Sequence, residues 1–393
     1  MRRKLRIGVL GVRRGNTYVK TLKIGQFTEA RVTAICDFDT KRIQHTVENF
    51  CQKGRYAPKV FTDAEEFMES GLFDAVLLCN YFHEHADYAI RCLKKGIHVF
   101  SEIMAAPTMA KCVELCRAAE ASKAVYMIAE NYPYSRANLE MKRLYEGGTL
   151  GKLIFAEGEY VHMMGPKDTA SYLAPGVVGP DHWRRWMPVT YYCSHALGPL
   201  MFITGETPKR VVAMAARDSD EHLAGFTGRN RPEAAGVMLL HTDKNAVFRV
   251  NGSSYMSPRG NWYRIACSKG GAETVRGDGE KLRLSYNGWE VPEGREENQI
   301  YQPEWESDGE LANQCGHHGG DYWVVKAFLD ACLGRAKPWG DVYAACTIAA
   351  VGILGWRSIC NGNLAIDIPD FRKEEERAYW QDDRLSPFRP GNI

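Results

Sequence analysis

Four side chains in the first half of the chain have the types that proton transfer requires. Tyr160 and His162 are two residues apart in a partly alternating stretch, so in a strand the phenol and the imidazole lie side by side on one face. His195 supplies a second imidazole, a group that titrates near neutral pH. Glu130 follows an apolar run, at the end of a predicted parallel strand, where open sheets bind ligands. These residues favour general acid–base chemistry.

The first predicted turn has a composition that suits a dinucleotide. In the usual Gly-x-Gly-x-x-Gly pattern, glycines let the backbone approach a pyrophosphate at a helix N-terminus. Here Arg13 replaces the middle glycine and the last one is displaced to Gly15. Asp37 ends the next predicted strand, where a carboxylate accepts hydrogen bonds from ribose hydroxyls and repels a 2′-phosphate, so NAD is favoured over NADP. An ordinary turn without a ligand is the alternative. The candidate cofactor residues here are Gly11, Arg13, Arg14, Gly15, Asn16 and Asp37.

Short apolar strands alternate with helices in the N-terminal third. This pattern predicts an α/β fold with a doubly wound parallel sheet, a Rossmann arrangement, covered by helices on both faces. The predicted strands are 5–10, 32–37, 74–79, 98–101 and 125–128, and the clearest helices are 83–95 and 108–122.

The pattern changes after this unit. Several β-prone runs follow without helices of comparable length between them, which predicts an α+β domain with a mostly antiparallel open sheet. These runs are 152–162, 210–216, 236–241, 246–251 and 262–267, with helices at 321–333 and 341–358 and surface loops at 277–314. We therefore predict an NAD-binding domain at 1–130 and a substrate and oligomerisation domain at 131–393, whose C-terminal segments can pack back on the first domain.

Charge and composition exclude several classes of protein. The chain has 393 residues, 50 Lys+Arg and 48 Asp+Glu, and a formal charge of +2, so it lacks the basic excess of a nucleic-acid-binding protein. Its 12 cysteines include no pair separated by two residues, which favours reduced, buried thiols. We expect a cytoplasmic protein, since no signal-like segment opens the chain and no uninterrupted apolar run reaches about 18 residues.

Several short stretches, taken together and in order, resemble one known family. The stretches are 101–107 (SEIMAAP), 130–134 (ENYPY), 157–162 (EGEYVH), 192–199 (YCSHALGP), 316–321 (GHHGGD) and 368–371 (IPDF). They resemble the Gfo/Idh/MocA oxidoreductases over nearly the whole chain, and within that superfamily glycoside hydrolase family 109 and related NAD-dependent glycosidases.

Two positions depart from the ordinary oxidoreductases of that superfamily. Ile103 stands where those enzymes have the lysine of Glu-Lys-Pro, which exchanges the hydroxyl proton during hydride transfer. Tyr191 stands four residues before His195, where they have an aspartate. The glycosidase-like branch also lacks the lysine, so the resemblance favours a glycosidase, although loss of activity would leave the same departure.

The resemblance implies a mechanism in which NAD is a transient oxidant. A sugar is oxidised at C3, the C1 leaving group is eliminated after loss of the C2 proton, water adds, and the ketone is reduced again. His195 is then the base for the hydroxyl and Tyr160 the base for C2, with His162 as a polarising partner or as the C2 base itself. Glu130 positions the sugar hydroxyls.

Further residues complete the two predicted binding sites. Asn80, His85 and Glu102 join the predicted cofactor site, although Glu102 can equally hydrogen-bond a turn. The predicted substrate residues are Tyr192, His317, His318, Trp183 and Arg184. Packing for Tyr192, a metal pair for the two histidines and an oligomer contact for the Trp-Arg segment are the alternatives, and we predict no metal because no spaced third ligand accompanies the histidines.

Three functions remain open from the sequence. The first is an NAD-dependent glycosidase, the second an NAD-dependent sugar or glycoside 3-dehydrogenase, and the third a non-catalytic protein that binds NAD and a sugar. In each case the expected partners are a small carbohydrate or glycoside and further copies of this chain, with neither nucleic acid nor membrane.

Overall fold

The structure divides into two compact units. It is a computed structural model that describes residues 4–162, 186–217, 233–253, 256 and 258–388. The first unit combines Met1–Tyr134 with Trp305–Cys346, and the second combines Ser135–Glu304 with Thr347–Ile393. The segment Trp305–Cys346 thus belongs with the N-terminal unit, although sequence patterns alone assign it to the second domain.

The first unit is built on a six-stranded parallel sheet with the order β3-β2-β1-β4-β5-β6. Its strands are β1 (Leu5–Leu10), β2 (Ala30–Cys36), β3 (Lys59–Phe61), β4 (Ala75–Leu78), β5 (His98–Ser101) and β6 (Tyr126–Ile128). Its helices are α1 (Val12–Ile24), α2 (Thr40–Phe50), α3 (Ala64–Glu69), α4 (His85–Lys94), α5 (Met109–Glu120), α8 (Gly309–Ala312) and α9 (Gly320–Cys332). The predicted doubly wound sheet is confirmed, with β3 as an additional edge strand.

The late segment joins the first unit through aromatic packing. In α9, Phe328 lies with its ring centroid 5.0 Å from that of Phe100 on β5. Tyr322, at the start of the same helix, stacks on Phe27 at 5.4 Å. Buried aromatic surface of this kind contributes strongly to packing. The helix therefore covers one face of the parallel sheet.

The second unit is built on a nine-stranded sheet with the order β14-β13-β12-β11-β7-β10-β9-β8-β15. The pair β7–β10 is parallel, and every other pair is antiparallel, as the mostly antiparallel prediction requires. The strands are β7 (Leu153–Val161), β8 (Pro208–Arg217), β9 (Glu233–Thr242), β10 (Val247–Ser253), β11 (Gly260–Cys267), β12 (Gly270–Val275), β13 (Asp278–Tyr286), β14 (Asn298–Tyr301) and β15 (Ile366–Asp367). The helices are α6 (Arg136–Glu146), α7 (Ser194–Thr204), α10 (Val342–Cys360), which begins in the first unit, and α11 (Glu374–Ala378).

The prediction of surface loops at 277–314 is wrong. This segment contains β13 and β14, which extend the second sheet at one edge. Leu282, Leu284 and Tyr286 of β13 are buried, while the alternating Lys281 and Arg283 are exposed. The charged residues of the outward face made the segment look polar, although the period-2 alternation of a half-buried strand is present.

Helix α10 is 19 residues long and apolar enough, by length and composition, to cross a membrane. However, 89% of its most apolar window is buried inside the protein. Such burial is typical of a core helix, which passes the same hydropathy test because it is apolar on all sides.

Two glycines let α7 and the turn before it lie directly on the second sheet. A Cβ atom at Gly158 of β7 would lie 2.0 Å from the carbonyl oxygen of Ala196 in α7. A Cβ atom at Gly252 of β10 would lie 2.9 Å from the carbonyl oxygen of Val189. Both obstacles are backbone atoms, which cannot rotate away. These glycines therefore set how closely α7 approaches the sheet.

We expect Gly158→Ala to displace α7 and to destabilise the protein by about 1–3 kcal/mol, as overpacking of a closely packed core does. The displacement also carries His195 away from Tyr160, so activity falls together with stability. Chemical denaturation and a turnover assay measure the two effects. Gly279→Ala on β13 is the matched control, because nothing lies within 4 Å of its Cβ position. Unchanged stability of Gly158→Ala would contradict the close approach.

Candidate active site

Four residues predicted from the sequence form one aromatic cluster in the second unit. Tyr160 at the end of β7 is buried, and its ring centroid lies 4.6 Å from that of His195, which is also buried. Tyr192 and His162 stack on Tyr160 at 5.6 and 5.7 Å. The strand and the start of α7 thus place a phenol between two imidazoles, an arrangement suited to proton transfer.

A proline in α7 explains how the backbone of His195 is held. Pro199 lies inside the helix and has no N–H, so the carbonyl of His195, four residues earlier, lacks its ordinary helical donor. The hydroxyl of Tyr263 on β11 donates to this carbonyl at 2.7 Å. The neighbouring strand therefore provides a hydrogen bond where the helix cannot, and fixes the start of α7 against the sheet.

We expect Tyr263→Phe to destabilise the protein by about 1–3 kcal/mol, because a buried carbonyl loses a hydrogen bond. Activity should fall further than the loss of folded protein explains, since the freed turn carries His195. Thermal unfolding and initial rates measured well below the midpoint separate the two effects. Tyr286→Phe, a buried tyrosine on β13, is the control. Equal behaviour of the two variants would show that the bond to His195 has no special role.

His162 has a partner that the sequence did not indicate. Nη2 of Arg259 lies 2.9 Å from Nε2 of His162. A guanidinium group only donates hydrogen bonds, so Nε2 is the unprotonated acceptor and the ring proton is assigned to Nδ1. The lone pair of His162 is thus occupied, which favours Tyr160 over His162 as the C2 base. No motif marks Arg259, since it lies in an irregular segment before β11.

Tyr191 stands where ordinary superfamily dehydrogenases have an aspartate. Its side chain packs in the core of the second unit. Its side chain is fully buried, with ring contacts to Trp356 and Phe388 at 6.3 and 5.3 Å. Tyr191 therefore packs rather than contributing a carboxylate beside His195.

In the first unit, the glycine turn after β1 fits a dinucleotide. Gly11 has φ +87°, and a Cβ atom there would lie 2.4 Å from the carbonyl oxygen of Cys79, so only glycine is tolerated. A Cβ atom at Gly15 would lie 2.6 Å from Val9, so this glycine lets α1 pack on β1. Two glycines thus perform the turn and packing roles of the usual three.

The residues around this turn include polar atoms suited to the cofactor. Asp37 accepts from the backbone N–H of Val12 at 2.6 Å and of Asp39 at 2.9 Å, which fixes its carboxylate beside the start of α1. Oδ1 of Asn80 is buried without a hydrogen-bond partner among the described residues, as an acceptor awaiting a ligand would be. Burial lowers the pKa of His85 and so favours the neutral ring, while the hydrogen bond of its Nδ1 to the carbonyl of Met104, at 3.0 Å, acts in the opposite direction.

The other residues predicted for the cofactor have different surroundings. Arg13 is exposed. Asn16 accepts from the Thr46 hydroxyl at 3.1 Å, which connects α1 to α2. Arg14 and Glu102 form a half-buried ion pair at 2.7 Å. Burial opposes ionisation of Glu102, but the charge of Arg14 and hydrogen bonds to the carboxylate outweigh it and lower the pKa.

Two of the residues predicted for the substrate belong to the same part of the first unit as Glu130. Glu130 follows β6, is fully buried and accepts from the backbone N–H of Tyr132 at 3.4 Å. The ring of Tyr132 meets His317 edge to face at 5.5 Å. His318 is the exposed residue beside it. The residues that follow β6 therefore contact the turn that contains His317 and His318, called the histidine turn below.

Part of the predicted substrate site cannot be placed. Trp183 and Arg184 lie outside the described residues. Within the described ranges, no group of three or more His, Cys, Asp or Glu side chains is arranged to hold a metal ion.

Three family descriptions match consecutive parts of the chain. Residues 5–130 match the oxidoreductase family with an NAD-binding Rossmann fold, and residues 138–273 match the GFO/IDH/MocA C-terminal domain. Residues 278–378 match the glycosyl hydrolase 109 C-terminal domain. Together they account for both units.

Individual proteins agree with these matches. A glycosyl hydrolase family 109 protein of Stenotrophomonas maltophilia is 23% identical over 94% of this chain and 89% of its own length. An alpha-N-acetylgalactosaminidase of Tannerella forsythia is 24% identical over 87% of this chain and 81% of its own. Among solved structures, a levoglucosan dehydrogenase in complex with NADH and levoglucosan shares the fold, with a TM-score of 0.75, 15% identity, and coverage of 94% of this chain and 100% of its own.

Proposed function

Because the chain belongs to the Gfo/Idh/MocA oxidoreductase superfamily and has a glycosyl hydrolase 109 C-terminal domain, we propose that it is an NAD-dependent glycosidase. It cleaves glycosides by transient C3 oxidation, C1–C2 elimination, hydration and re-reduction. The observation that carries the proposal is the buried Tyr160–His195 pair, with ring centroids 4.6 Å apart. Ile103, in the position of the dehydrogenase lysine, has no proton to exchange, so proton transfer falls to this pair.

Each residue of the proposed site has one role. When bound, NAD supplies an acceptor for the C3 hydride and returns the hydride at the end. His195 removes the C3 hydroxyl proton, and Tyr160 removes the C2 proton, which the neighbouring ketone has made acidic. His162, whose Nε2 accepts a hydrogen bond from Arg259, presents its Nδ1 proton to the sugar. Glu130 orients the sugar hydroxyls.

The first unit holds the cofactor in this proposal. The glycine turn at Gly11 would hold the pyrophosphate at the start of α1, since helix N-termini bind phosphate groups. Asp37 would accept from the adenosine ribose hydroxyls, and the buried Asn80 Oδ1 would gain a hydrogen-bond donor. His85 stays neutral beside them.

Isotope exchange at C2 tests the proposal. The protein is incubated with a panel of aryl glycosides in D2O, beginning with an α-N-acetylgalactosaminide because a relative is named for that activity. Aglycone release with deuterium at C2 of the liberated sugar is expected, since elimination and hydration replace that hydrogen with one from solvent. Aglycone release without deuterium would exclude elimination. Net accumulation of reduced cofactor, with no cleavage, would instead identify a sugar 3-dehydrogenase.

We also propose that the protein is a homo-oligomer assembled through the outward face of its second sheet. Exposed Met214, Val237 and Leu239 are register neighbours on β8 and β9. The same face continues into Arg249 of β10 and Glu157 of β7, which are paired at 2.7 Å. A face with apolar surface and both charges can pair with a second copy of itself. Light scattering of Leu239→Glu against the wild type tests this, and an unchanged mass would exclude the face.

We propose a cytoplasmic location on the basis of the cysteines. All twelve fall within the described part of the chain, where none forms a disulfide and eight are buried. Reduced thiols of this kind are usual in a reducing compartment. Cell fractionation tests the location, and recovery outside the cytoplasm would exclude it.

A further inference from the structure

Arg14 lies in the first turn of α1, next to the predicted phosphate-binding turn, but its guanidinium donates to two carboxylates of the protein. Its Nε donates to Glu102 at 2.7 Å, and its Nη2 donates to Asp321 at 2.7 Å. Nη1 reaches the second oxygen of Asp321 at 3.3 Å, and Nη2 also donates to the Tyr18 hydroxyl at 3.0 Å. One cation thus faces two carboxylates. Its charge is fully balanced within the protein, so little attraction remains for a phosphate.

Asp321 transmits this contact to the histidine turn. Its side chain is fully buried at the start of α9. Besides Arg14, it accepts from Nδ2 of Asn131 at 2.8 Å and bonds Nδ1 of His317 at 2.9 Å. Burial alone would raise the pKa of Asp321, but the Arg14 charge and the His317 contact outweigh it and hold the pKa well below its usual range. The carboxylate therefore stays ionised and holds the ring of His317.

The turn itself has a backbone conformation that needs support. His317, His318 and Gly319 have φ values of +55°, +53° and +84° in succession. Side chains other than glycine rarely adopt this region, and such strain persists only where surrounding contacts determine it. Gly316 is equally constrained, because a Cβ atom there would lie 2.5 Å from Oδ2 of Asp321. The strained turn therefore packs directly against the side chain of Asp321.

We propose that Arg14 is a positioning residue rather than a phosphate ligand: it anchors Asp321, and Asp321 holds the turn that carries His317 and His318 in its binding conformation. This assignment rests on the proposed function, because the two histidines were predicted from the sequence as substrate residues of that glycosidase. It gives Arg14 a role in substrate binding and turnover although it lies in the cofactor turn. The affinity for NAD is then set by the glycine turn and Asp37, not by this arginine.

The test compares turn mobility with cofactor affinity in the full-length protein. Asp321→Asn removes the charge that Arg14 and His317 share but keeps the size of the side chain, and Arg14→Met removes the guanidinium. In both variants, hydrogen exchange of peptides covering 316–320 should rise by about tenfold or more, as expected for local opening. The dissociation constant of NAD, measured by direct titration, should change by less than about threefold, because neither residue is proposed to set the affinity for the cofactor. In assays with a glycoside, kcat should fall about 100-fold, because a small displacement of groups that position the substrate lowers the rate on this scale. The KM for NAD should be unchanged.

Two controls make the outcomes decisive. Arg91→Met breaks an exposed ion pair with Glu65 in the same unit and should alter none of these readouts. Arg14→Lys should not restore the wild-type behaviour, because one ammonium group cannot span Glu102 and Asp321 as a planar fork does. Weakening of NAD binding by more than about tenfold, with unchanged exchange at 316–320, would assign Arg14 to the phosphates and overturn the proposal.

Exchange and NAD affinity are measured without a sugar, so they separate this assignment from the proposed activity. If the wild type cleaves no glycoside but the exchange results hold, the positioning role stands and only the glycosidase function fails. If Arg14→Met does not fold, Asp321→Asn decides alone, because it leaves Arg14 and Glu102 as a balanced pair. Wild-type exchange in Asp321→Asn would then overturn the proposal.

Discussion

In Tyr160→Phe, aglycone release should fall by about 10²–10⁴-fold, the usual contribution of a positioned acid–base group. The variant keeps the ring and loses only the hydroxyl. Its neighbours His195 and Tyr192, stacked on or against the ring at 4.6 and 5.6 Å, keep their packing surface. The loss is therefore chemical rather than structural, and the thermal midpoint should stay close to that of the wild type.

The reaction step at which Tyr160→Phe stops makes this prediction specific. Since His195 remains, sugar oxidation at C3 still takes place, but the C2 proton stays and elimination stops. A glycoside should then produce up to one equivalent of reduced cofactor per protein chain, seen by absorbance, without cleavage and without deuterium at C2. Tyr286→Phe, a buried tyrosine elsewhere in the same sheet, should behave as the wild type. Undiminished C2 exchange in Tyr160→Phe would transfer the C2 base to another residue, with His162 the first candidate.

Local sequence patterns predict the strands and helices around this site, but they do not predict which residues contact one another in the fold. Strands β1 and β4 of the first unit are apolar runs buried on both faces, and the β7 region shows enough alternation to be predicted. Strand β3 is short, lies at the edge and has one buried residue, so it has little apolar signal. In β13 the exposed charges conceal a buried Leu-x-Leu-x-Tyr stripe.

Contacts between distant residues account for what sequence analysis missed. Arg14 and Asp321 are 307 positions apart, and no local pattern indicates that one neutralises the other. Arg259 meets His162 across 97 positions from an irregular segment. By contrast, Tyr160 and His162 share a strand face, so period-2 spacing alone predicts their proximity. Residue type thus identified the candidates, while the partners that fix protonation and orientation required the tertiary structure.

In His195→Gln, the reaction should stop one step earlier than in Tyr160→Phe. The glutamine side chain is polar and of similar length, but an amide does not take up a proton near neutral pH. With Ile103 in the position of the dehydrogenase lysine, no alternative proton acceptor occupies that position. Cofactor reduction, C2 exchange and aglycone release should therefore all fall together, by about 10²–10⁴-fold. Binding of NAD should be unchanged, since the proposed cofactor residues belong to the first unit.

The two variants together establish the order of proton transfers. His241→Gln, at an exposed position of β9, is the matched control and should keep the wild-type rates. Single-turnover mixing with glycoside measures cofactor reduction and aglycone release in the same sample. If His195→Gln reduces the cofactor at the wild-type rate and only release is lost, His195 acts after oxidation, and its role and that of Tyr160 must be exchanged. If neither step is affected, the aromatic cluster is a packing feature, and the buried Tyr160–His195 contact no longer supports a glycosidase mechanism.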